Sequence, residues 1–165
     1  MRMQEAIQST QQSLDQMIAT AKGLSSEMLT WKPAEDKWSV MEVLSHVDEA
    51  ISYWLDEIGA LLQKPGTEWG RGIQDEKRLA AIAAAGSRSL DALLASIDKT
   101  KERVQRVLGS ISEEALKQEA PSRNPRFGTK PLSFIVQHLL VDHADSHVKQ
   151  IKRNLEQYNA TNKFN

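Results

Sequence analysis

Cysteine is absent from the 165-residue sequence, which excludes disulfide bonds and thiolate ligands to a metal ion. Any bound metal must therefore be held by imidazole, carboxylate or water. The first residues, MRMQEAIQ, also lack the apolar stretch of a secretory signal. Together these two absences favour a cytoplasmic protein.

Long apolar runs and an excess of either charge are lacking as well. The formal net charge is −1, with 21 basic and 22 acidic residues, so we expect neither nucleic acid nor a membrane as a partner. Several sequence motifs of known chemistry are missing too. The chain has no glycine-rich phosphate loop, no G-x-S-x-G and no H-E-x-x-H.

No segment alternates like a strand, whereas four segments repeat apolar residues at helical spacing. The first predicted helix covers residues 4–23, and the second runs from a capping box at Ser39 to Pro65-Gly66. The third begins at Ser87 or Ser89 and ends at Gly109, and the fourth runs from near Pro131 to about Tyr158. Residues 25–38 and 120–130 are expected to be loops.

One domain, residues 1–165, and an all-α fold follow from this pattern, because four amphipathic helices of this length form a four-helix bundle. The linker between the second and third helices, residues 64–86, is the longest and has room for a short helix. A linker of that length lets these two helices run parallel, which predicts up-down-down-up order.

Three histidines occupy predicted core positions. His143 and His147 are four residues apart, so they lie one turn apart on a helix face that otherwise carries apolar residues. His46 lies on the apolar face of the second helix, which the predicted topology places antiparallel to the fourth. The helical rise puts His46 about 10 Å from the start of the second helix and His147 about 16 Å from the end of the fourth. These two ends lie side by side in an antiparallel pair, so the histidines are at the same level within the uncertainty of the helix ends.

Convergence of these imidazoles would create a site for one transition-metal ion, since buried imidazole needs a hydrogen-bond partner or a metal. The alternative is three separately satisfied core histidines, and the metal site is the favoured interpretation. His138 lies five residues before His143, about 140° around an α-helix, and should point away.

Other polar and aromatic residues have simpler interpretations. Glu42 could act as an acid near His46, but its place in the capping box favours a structural role. Trp38 and Trp54 could line a pocket, although core packing is favoured for Trp54. The basic residues of the 120–130 loop could bind an anionic substrate; they are Arg123, Arg126 and Lys130. A solvated loop is favoured, because the start of the fourth helix lies roughly 18 Å from His143.

Two short motifs contain the three histidines. One is a tryptophan and serine that open the second helix, Trp38-Ser39, with His46 seven residues after the serine. The other is H-x-x-x-H followed by Gln-Ile, here His143 to His147 and then Gln150-Ile151. With these motifs the chain resembles the DinB-like (YfiT-like) family. The helix order and the long second linker match as well, so the resemblance covers nearly the whole chain.

The resemblance implies a divalent metal ion, zinc or nickel, bound by His46, His143 and His147. It also implies a metal-dependent hydrolase, or a transferase that uses a low-molecular-weight thiol such as bacillithiol or mycothiol. The family often has aspartate directly after the first histidine of H-x-x-x-H, whereas this chain has Ala144 there. A role for that acid is therefore in doubt.

Two further expectations concern the oligomeric state and the alternative to an enzyme. Relatives often form homodimers, and apolar linker residues such as Trp69, expected to be exposed, favour a homodimer here. The alternative to an enzyme is a metal-stabilised bundle without catalytic activity that acts as a stress or interaction protein. A ligand-sized pocket at the histidines would favour the enzyme, and a filled core would favour the alternative.

Overall fold

The computed structural model describes residues 2–162 and contains four long helical stretches. The first three are α1 (Met3–Lys22), α3 (Val40–Gln63) and α5 (Leu90–Gly109). The fourth is one uninterrupted stretch made of α7 (Leu132–Phe134), a π-helical segment (Ile135–Asp142) and α8 (His143–Asn162). The predicted four-helix bundle is therefore confirmed.

Serine side chains cap the beginnings of several helices. The hydroxyl of Ser39 accepts from the backbone N–H of Glu42, and the Glu42 carboxylate accepts from the backbone N–H of Ser39 at 2.9 Å. This reciprocal pair is the predicted capping box. Ser89, one of the two predicted candidates, caps α5, and Ser112 caps the short helix α6 (Glu113–Lys117).

Polar pairs between α3 and α5 show that these helices run in the same direction. Asp48, early in α3, accepts from Arg88 and Ser96, which lie just before and early in α5. Farther along both helices, Arg103 donates to Ser52 and Asp56. Each of α1 and α3 packs against both α5 and α8. The order is up-down-down-up, as predicted.

The connecting segments are more regular than predicted. Residues 25–38 contain α2 (Ser26–Thr30), and the long linker contains α4 (Glu76–Ala83) and a 3₁₀ turn, Ala85–Ser87. The expectation that no strand occurs is wrong at residues 119–131. There β1 (Glu119–Pro121) pairs antiparallel with β2 (Thr129–Pro131), with Ala120 opposite Lys130. Strands of three residues are too short to show an alternating pattern.

Trp69 corrects the expected surface of the linker. The side chain is 0% exposed, and its indole N–H donates to the Ala120 carbonyl at 2.8 Å. Its ring packs against Trp54 and Phe127 at centroid distances of 6.2 and 5.9 Å. The linker is thus folded onto the bundle, and Trp69 offers no surface for a partner.

Among the described residues, no helix combines the length and apolar character needed to cross a bilayer.

Candidate metal centre

His46 is placed by the start of α3. The capping box fixes the first turn of this helix, and His46 follows about two turns later. Its side chain is 3% exposed and shares the inner face with Val43, Val47 and Ala50, all of which are buried. An imidazole in these surroundings has lost nearly all contact with water.

His143 and His147 come from the first turns of α8. Both are half-buried, and Ala144, Val148 and Ile151 of the same helix are buried in the core. Because α8 is regular from His143 onward, the spacing of four residues brings the two rings to one face. Their centroids are 4.5 Å apart.

The three Nε2 atoms converge. That of His143 lies 3.3 Å from that of His46 and 2.9 Å from that of His147, and the three possible ligand atoms all lie within 4.8 Å of one another. Two nitrogens bound to one tetrahedral ion at ~2.0–2.1 Å lie roughly 3.3–3.4 Å apart. The arrangement therefore fits a single ion with little movement, and the donor set of three imidazoles suits a transition metal.

Hydrogen bonding alone does not account for this convergence. A neutral imidazole has one N–H, and Gln150 Oε1 lies 2.8 Å from Nδ1 of His147, a distance at which Nδ1 donates to it. Nε2 of His147 then carries a lone pair. The single N–H of His143 could satisfy only one of its two close Nε2 neighbours.

The outer ring nitrogens are unevenly supported. Gln150 supports His147, but Nδ1 of His46 and Nδ1 of His143 are buried without a hydrogen-bond partner among residues 2–162. The Leu139 carbonyl, one turn before His143, raises the pKa of His143 without reaching hydrogen-bond geometry. Histidine ligands usually donate this second N–H to an acceptor, so the centre departs from that pattern at His46 and at His143.

Burial keeps these imidazoles neutral. Desolvation, followed by the charges of His147 and His143, lowers the pKa of His46 from 6.5 to about 2. Desolvation and His147 lower the pKa of His143 to about 3. Desolvation also lowers the pKa of His147, although the hydrogen bond to Gln150 opposes this. Neutral imidazoles at pH 7 have free lone pairs, which is the state that binds metal.

Trp38 forms one wall of the centre. Its ring lies 4.9 Å from that of His46 and is stacked 6.3 Å from that of His147. The side-chain amide of Asn154 in α8 donates to the Trp38 carbonyl at 2.7 Å, which ties the segment before α3 to α8. Trp38, which the sequence allowed to line a pocket, thus lies against two of the imidazoles.

A cleft of about 380 Å³ opens beside the centre and is large enough for a small molecule. His46 and His143 form part of its surface, so two of the three imidazoles are accessible from it. Trp54, buried in the core, lines it as well. Two arginines of the linker, Arg71 and Arg78, also reach it. Neither arginine could be recognised from the sequence as a cleft residue, because neither belongs to a motif and both lie in an irregular segment.

His138 also lines this cleft, which contradicts the prediction that it points away from His143. The prediction assumed an α-helix, but Ile135–Asp142 is π-helical. Backbone hydrogen bonds in a π-helix join residues five apart, so residues at that spacing come to the same face. The His138 side chain is exposed and is stacked on Phe134 at a centroid distance of 5.0 Å.

The hairpin loop between the two strands brings further residues to the cleft. Asn124 and Arg126 line it. Arg126 is exposed, as expected for a solvated loop, but the expectation that it lies far from the histidines is wrong. Arg123 instead forms an ion pair with Glu57 at 2.9 Å. Glu42 serves the capping box as predicted, and its carboxylate also lies 3.8 Å from Lys32.

Comparison with known proteins identifies the family. The model of the DinB superfamily matches residues 9–151 of the sequence. The chain belongs to the DinB superfamily. The resemblance inferred from the two histidine motifs is thereby confirmed. No curated protein matches the sequence.

Solved structures extend the comparison of this DinB superfamily member. YfiT from Bacillus subtilis, described as a probable metal-dependent hydrolase with an unusual four-helix bundle topology, matches with a TM-score of 0.81 at 14% identity. The match covers 95% of this chain and 87% of YfiT. At these identities, the likeness concerns the fold.

A mycothiol-dependent maleylpyruvate isomerase matches with a TM-score of 0.66 at 15% identity, over 90% of this chain and 58% of the isomerase. A histidine-to-alanine mutant of such an isomerase matches with a TM-score of 0.65 at 16% identity, over 87% and 60% of the two chains. The isomerase is thus considerably longer than this chain.

Proposed function

We propose that this protein is a metal-dependent enzyme in which His46, His143 and His147 hold one divalent ion, zinc or nickel. The observation that carries the proposal is the convergence of three Nε2 atoms beside a cleft of about 380 Å³. Such an ion would supply a Lewis acid that polarises a substrate or acidifies a bound water or thiol. Hydrolysis and transfer of a low-molecular-weight thiol are the two reactions that this site would serve.

The residues around the imidazoles would control substrate access and proton transfer. Trp38 packs against His46 and His147, and substrate would enter from the cleft, which His46 and His143 line. His138 and Asp142 line the cleft and can accept a proton there, and Asp142 is held by a 2.8 Å hydrogen bond from Gln137.

The choice between the two reactions rests on relatives of the same fold. YfiT is described as a probable metal-dependent hydrolase, and the isomerase is described as mycothiol-dependent. Neither description extends to this chain without experiment. A metal-stabilised bundle without catalytic activity is the alternative, and the cleft beside the histidines disfavours it.

Metal analysis of protein purified without a histidine tag is the first test. We expect about one zinc or nickel ion per chain. His143→Ala should lose the ion, because two imidazoles remain, yet stay helical, since the buried apolar residues of α8 are unchanged. His138→Ala is the matched control and should keep full metal content. Equal metal loss in both variants would contradict the site.

Activity is tested on the same samples. A panel of esters and amides tests hydrolysis, and bacillithiol or mycothiol with a chloronitrobenzene acceptor tests thiol transfer. In the transfer, the thiolate sulfur forms a bond to carbon and chloride leaves. Turnover that disappears in His143→Ala would support the enzyme. Full metal content with no turnover of any substrate would favour the non-catalytic alternative.

A further inference from the structure

Three arginines line the cleft beside the histidines, and they differ in whether their charge is already neutralised. Arg71 is neutralised: its guanidinium donates to Glu49 at 2.7 Å and to Asp75 at 3.1 Å, and it lies 3.9 Å above the Tyr53 ring. These contacts give Arg71 a structural role, because its charge is already paired with carboxylates of the protein.

Arg78 lacks such a partner. Its guanidinium donates to the Ile73 carbonyl at 2.9 Å and lies 5.6 Å from the Trp38 ring centroid, and within the described part of the chain it forms no ion pair within 4 Å. The side chain is half-buried. Burial, followed by the charge of Arg71, lowers the pKa of Arg78, while Glu49 and Asp75, the two carboxylates already paired with Arg71, oppose this.

Arg78 lines the same cleft as His46 and His143. Its charge accordingly contributes to lowering the pKa of His46, of His143 and of His147. Three neutral imidazoles would leave both charges of a divalent ion uncompensated, unlike a site that contains a carboxylate. The region between the imidazoles and Arg78 is therefore strongly electropositive once an ion is bound.

Arg126 adds a second positive charge at the edge of the same cleft. It is exposed, lies 5.6 Å from the Phe127 ring centroid, and forms no ion pair among residues 2–162. Among the residues that the structure describes, Asp142 is the one acidic side chain in the cleft lining. Two arginines without an ion pair thus share the cleft with one carboxylate, an excess of positive charge that favours an anionic ligand.

We propose that Arg78 and Arg126 form an oxyanion subsite that binds a carboxylate or phosphate group of the substrate while its reacting end lies at the histidines. Guanidinium groups bind both oxyanions through paired N–H donors. The inference rests on the proposed function, because it defines the substrate class of that same cleft. It predicts that small organic acids or phosphorylated compounds are substrates and that their uncharged analogues are poor ones.

Calorimetric titration tests the subsite without any catalytic assay. The probes are succinate, inorganic phosphate and the uncharged diamide of succinic acid, added to zinc-loaded and to metal-free protein. We expect one or both anions to bind and the diamide not to bind. A preference for one anion tells a carboxylate substrate from a phosphorylated one. No binding by either anion would overturn the proposal.

Substitution of each arginine tests whether Arg78 and Arg126 bind the anion. Arg78→Gln and Arg126→Gln should each weaken anion binding by roughly tenfold or more, because each removes a charged donor. Arg106→Gln is the matched control, since Arg106 lies in the last turn of α5 outside the cleft lining, and it should bind as the wild type does. Arg126 is exposed, so its variant should fold even if Arg78→Gln does not. Unchanged affinity in either cleft variant would overturn the proposal.

Metal analysis of the titrated samples separates this inference from the proposed function. Protein that contains no metal but binds succinate through Arg78 would contradict the proposed metal enzyme and support the subsite. Binding that requires the metal but is unaffected by both arginine variants would mean that the ion itself holds the anion, and the subsite would be wrong.

Discussion

At the scale of single residues, Gln150 distinguishes His147 from the other two imidazoles. Its Oε1 lies 2.8 Å from Nδ1 of His147, whereas Nδ1 of His46 and of His143 has no such partner in the described chain. The hydrogen bond fixes the tautomer of His147 and directs the lone pair of its Nε2 toward the other two rings.

Gln150→Ala should therefore weaken metal binding by roughly 10- to 100-fold. Gln150→Glu keeps an acceptor oxygen at the same position and should retain most of the affinity. Zinc affinity measured by competition with a chelator distinguishes the two variants. If both variants bind zinc equally well, the hydrogen bond does not orient the ligand.

The lowered pKa values predict how acid affects the metal-free protein. An unfolded histidine takes up a proton near pH 6.5, whereas folded His46 and His143 do so only near about pH 2 and about pH 3. Below pH 6.5 the unfolded chain thus binds more protons, so stability is complete above that pH and is lost as the pH falls. Each such histidine contributes a slope of about 1.4 kcal/mol per pH unit.

Urea unfolding between pH 7.5 and pH 4.5 measures this slope. His46→Asn removes one of the two histidines, so the slope of the unfolding free energy against pH should fall by about 1.4 kcal/mol per pH unit. Chelator is present throughout, so that metal release does not contribute. Equal slopes for the wild type and the variant would show that His46 is not held neutral.

Single residues also show what the sequence could and could not predict. The three histidines could be found because each interrupts an apolar stripe of a long helix, where an unpartnered imidazole is costly. Arg78 and Arg126 could not, because their position depends on how the linker and the hairpin loop fold back onto the bundle. No periodic pattern describes such segments.

At the scale of elements, the π-helical segment has the largest effect on the cleft. It keeps helical backbone angles at both ends, so the chain continues from Phe134 to His143 without a break. The apolar pattern predicted a helix there correctly. The pattern did not reveal the change from α- to π-helical hydrogen bonding, which alters rotation around the axis rather than composition. His138 was therefore assigned to the wrong face.

The capping box of α3 supports the first turn of the helix that positions His46. Ser39→Ala removes the acceptor for the Glu42 N–H, which should cost about 1 kcal/mol and lower Tm by roughly 2–4 °C. Thermal unfolding followed by circular dichroism measures the shift. Ser26→Ala is the matched control, because Ser26 is exposed and uses only its carbonyl, and it should leave Tm unchanged. Equal shifts would contradict the assigned role of the box.

At the scale of the whole molecule, the sequence predicted the order of the four helices but not the molecular surface. Parallel packing of α3 and α5 requires a long connection, and the length of the linker indicated it. The buried Trp69 could not be recognised, because an indole in an irregular segment has no sequence signature of burial.

The homodimer stays a prediction and has lost the support that Trp69 was expected to give it. Ile73 and Leu79, 65% and 41% exposed, are the large apolar side chains that the described structure leaves at the surface, and both belong to the linker region. Sedimentation at high protein concentration tests the prediction. Ile73→Ser and Leu79→Ser together should shift a dimer toward monomer, and a wild-type monomer would contradict it.

The metal centre should also stabilise the whole fold. His46 and His143 are 97 positions apart in the chain, so the unfolded protein cannot present the three imidazoles together. An ion that binds the native state alone adds about 2.7 kcal/mol at a free concentration 100 times Kd. Urea unfolding with buffered zinc, compared with chelator, should show this gain in the wild type and none in His143→Ala. An equal gain in both would mean that zinc stabilises the bundle elsewhere, because two remaining imidazoles cannot reproduce a three-ligand site.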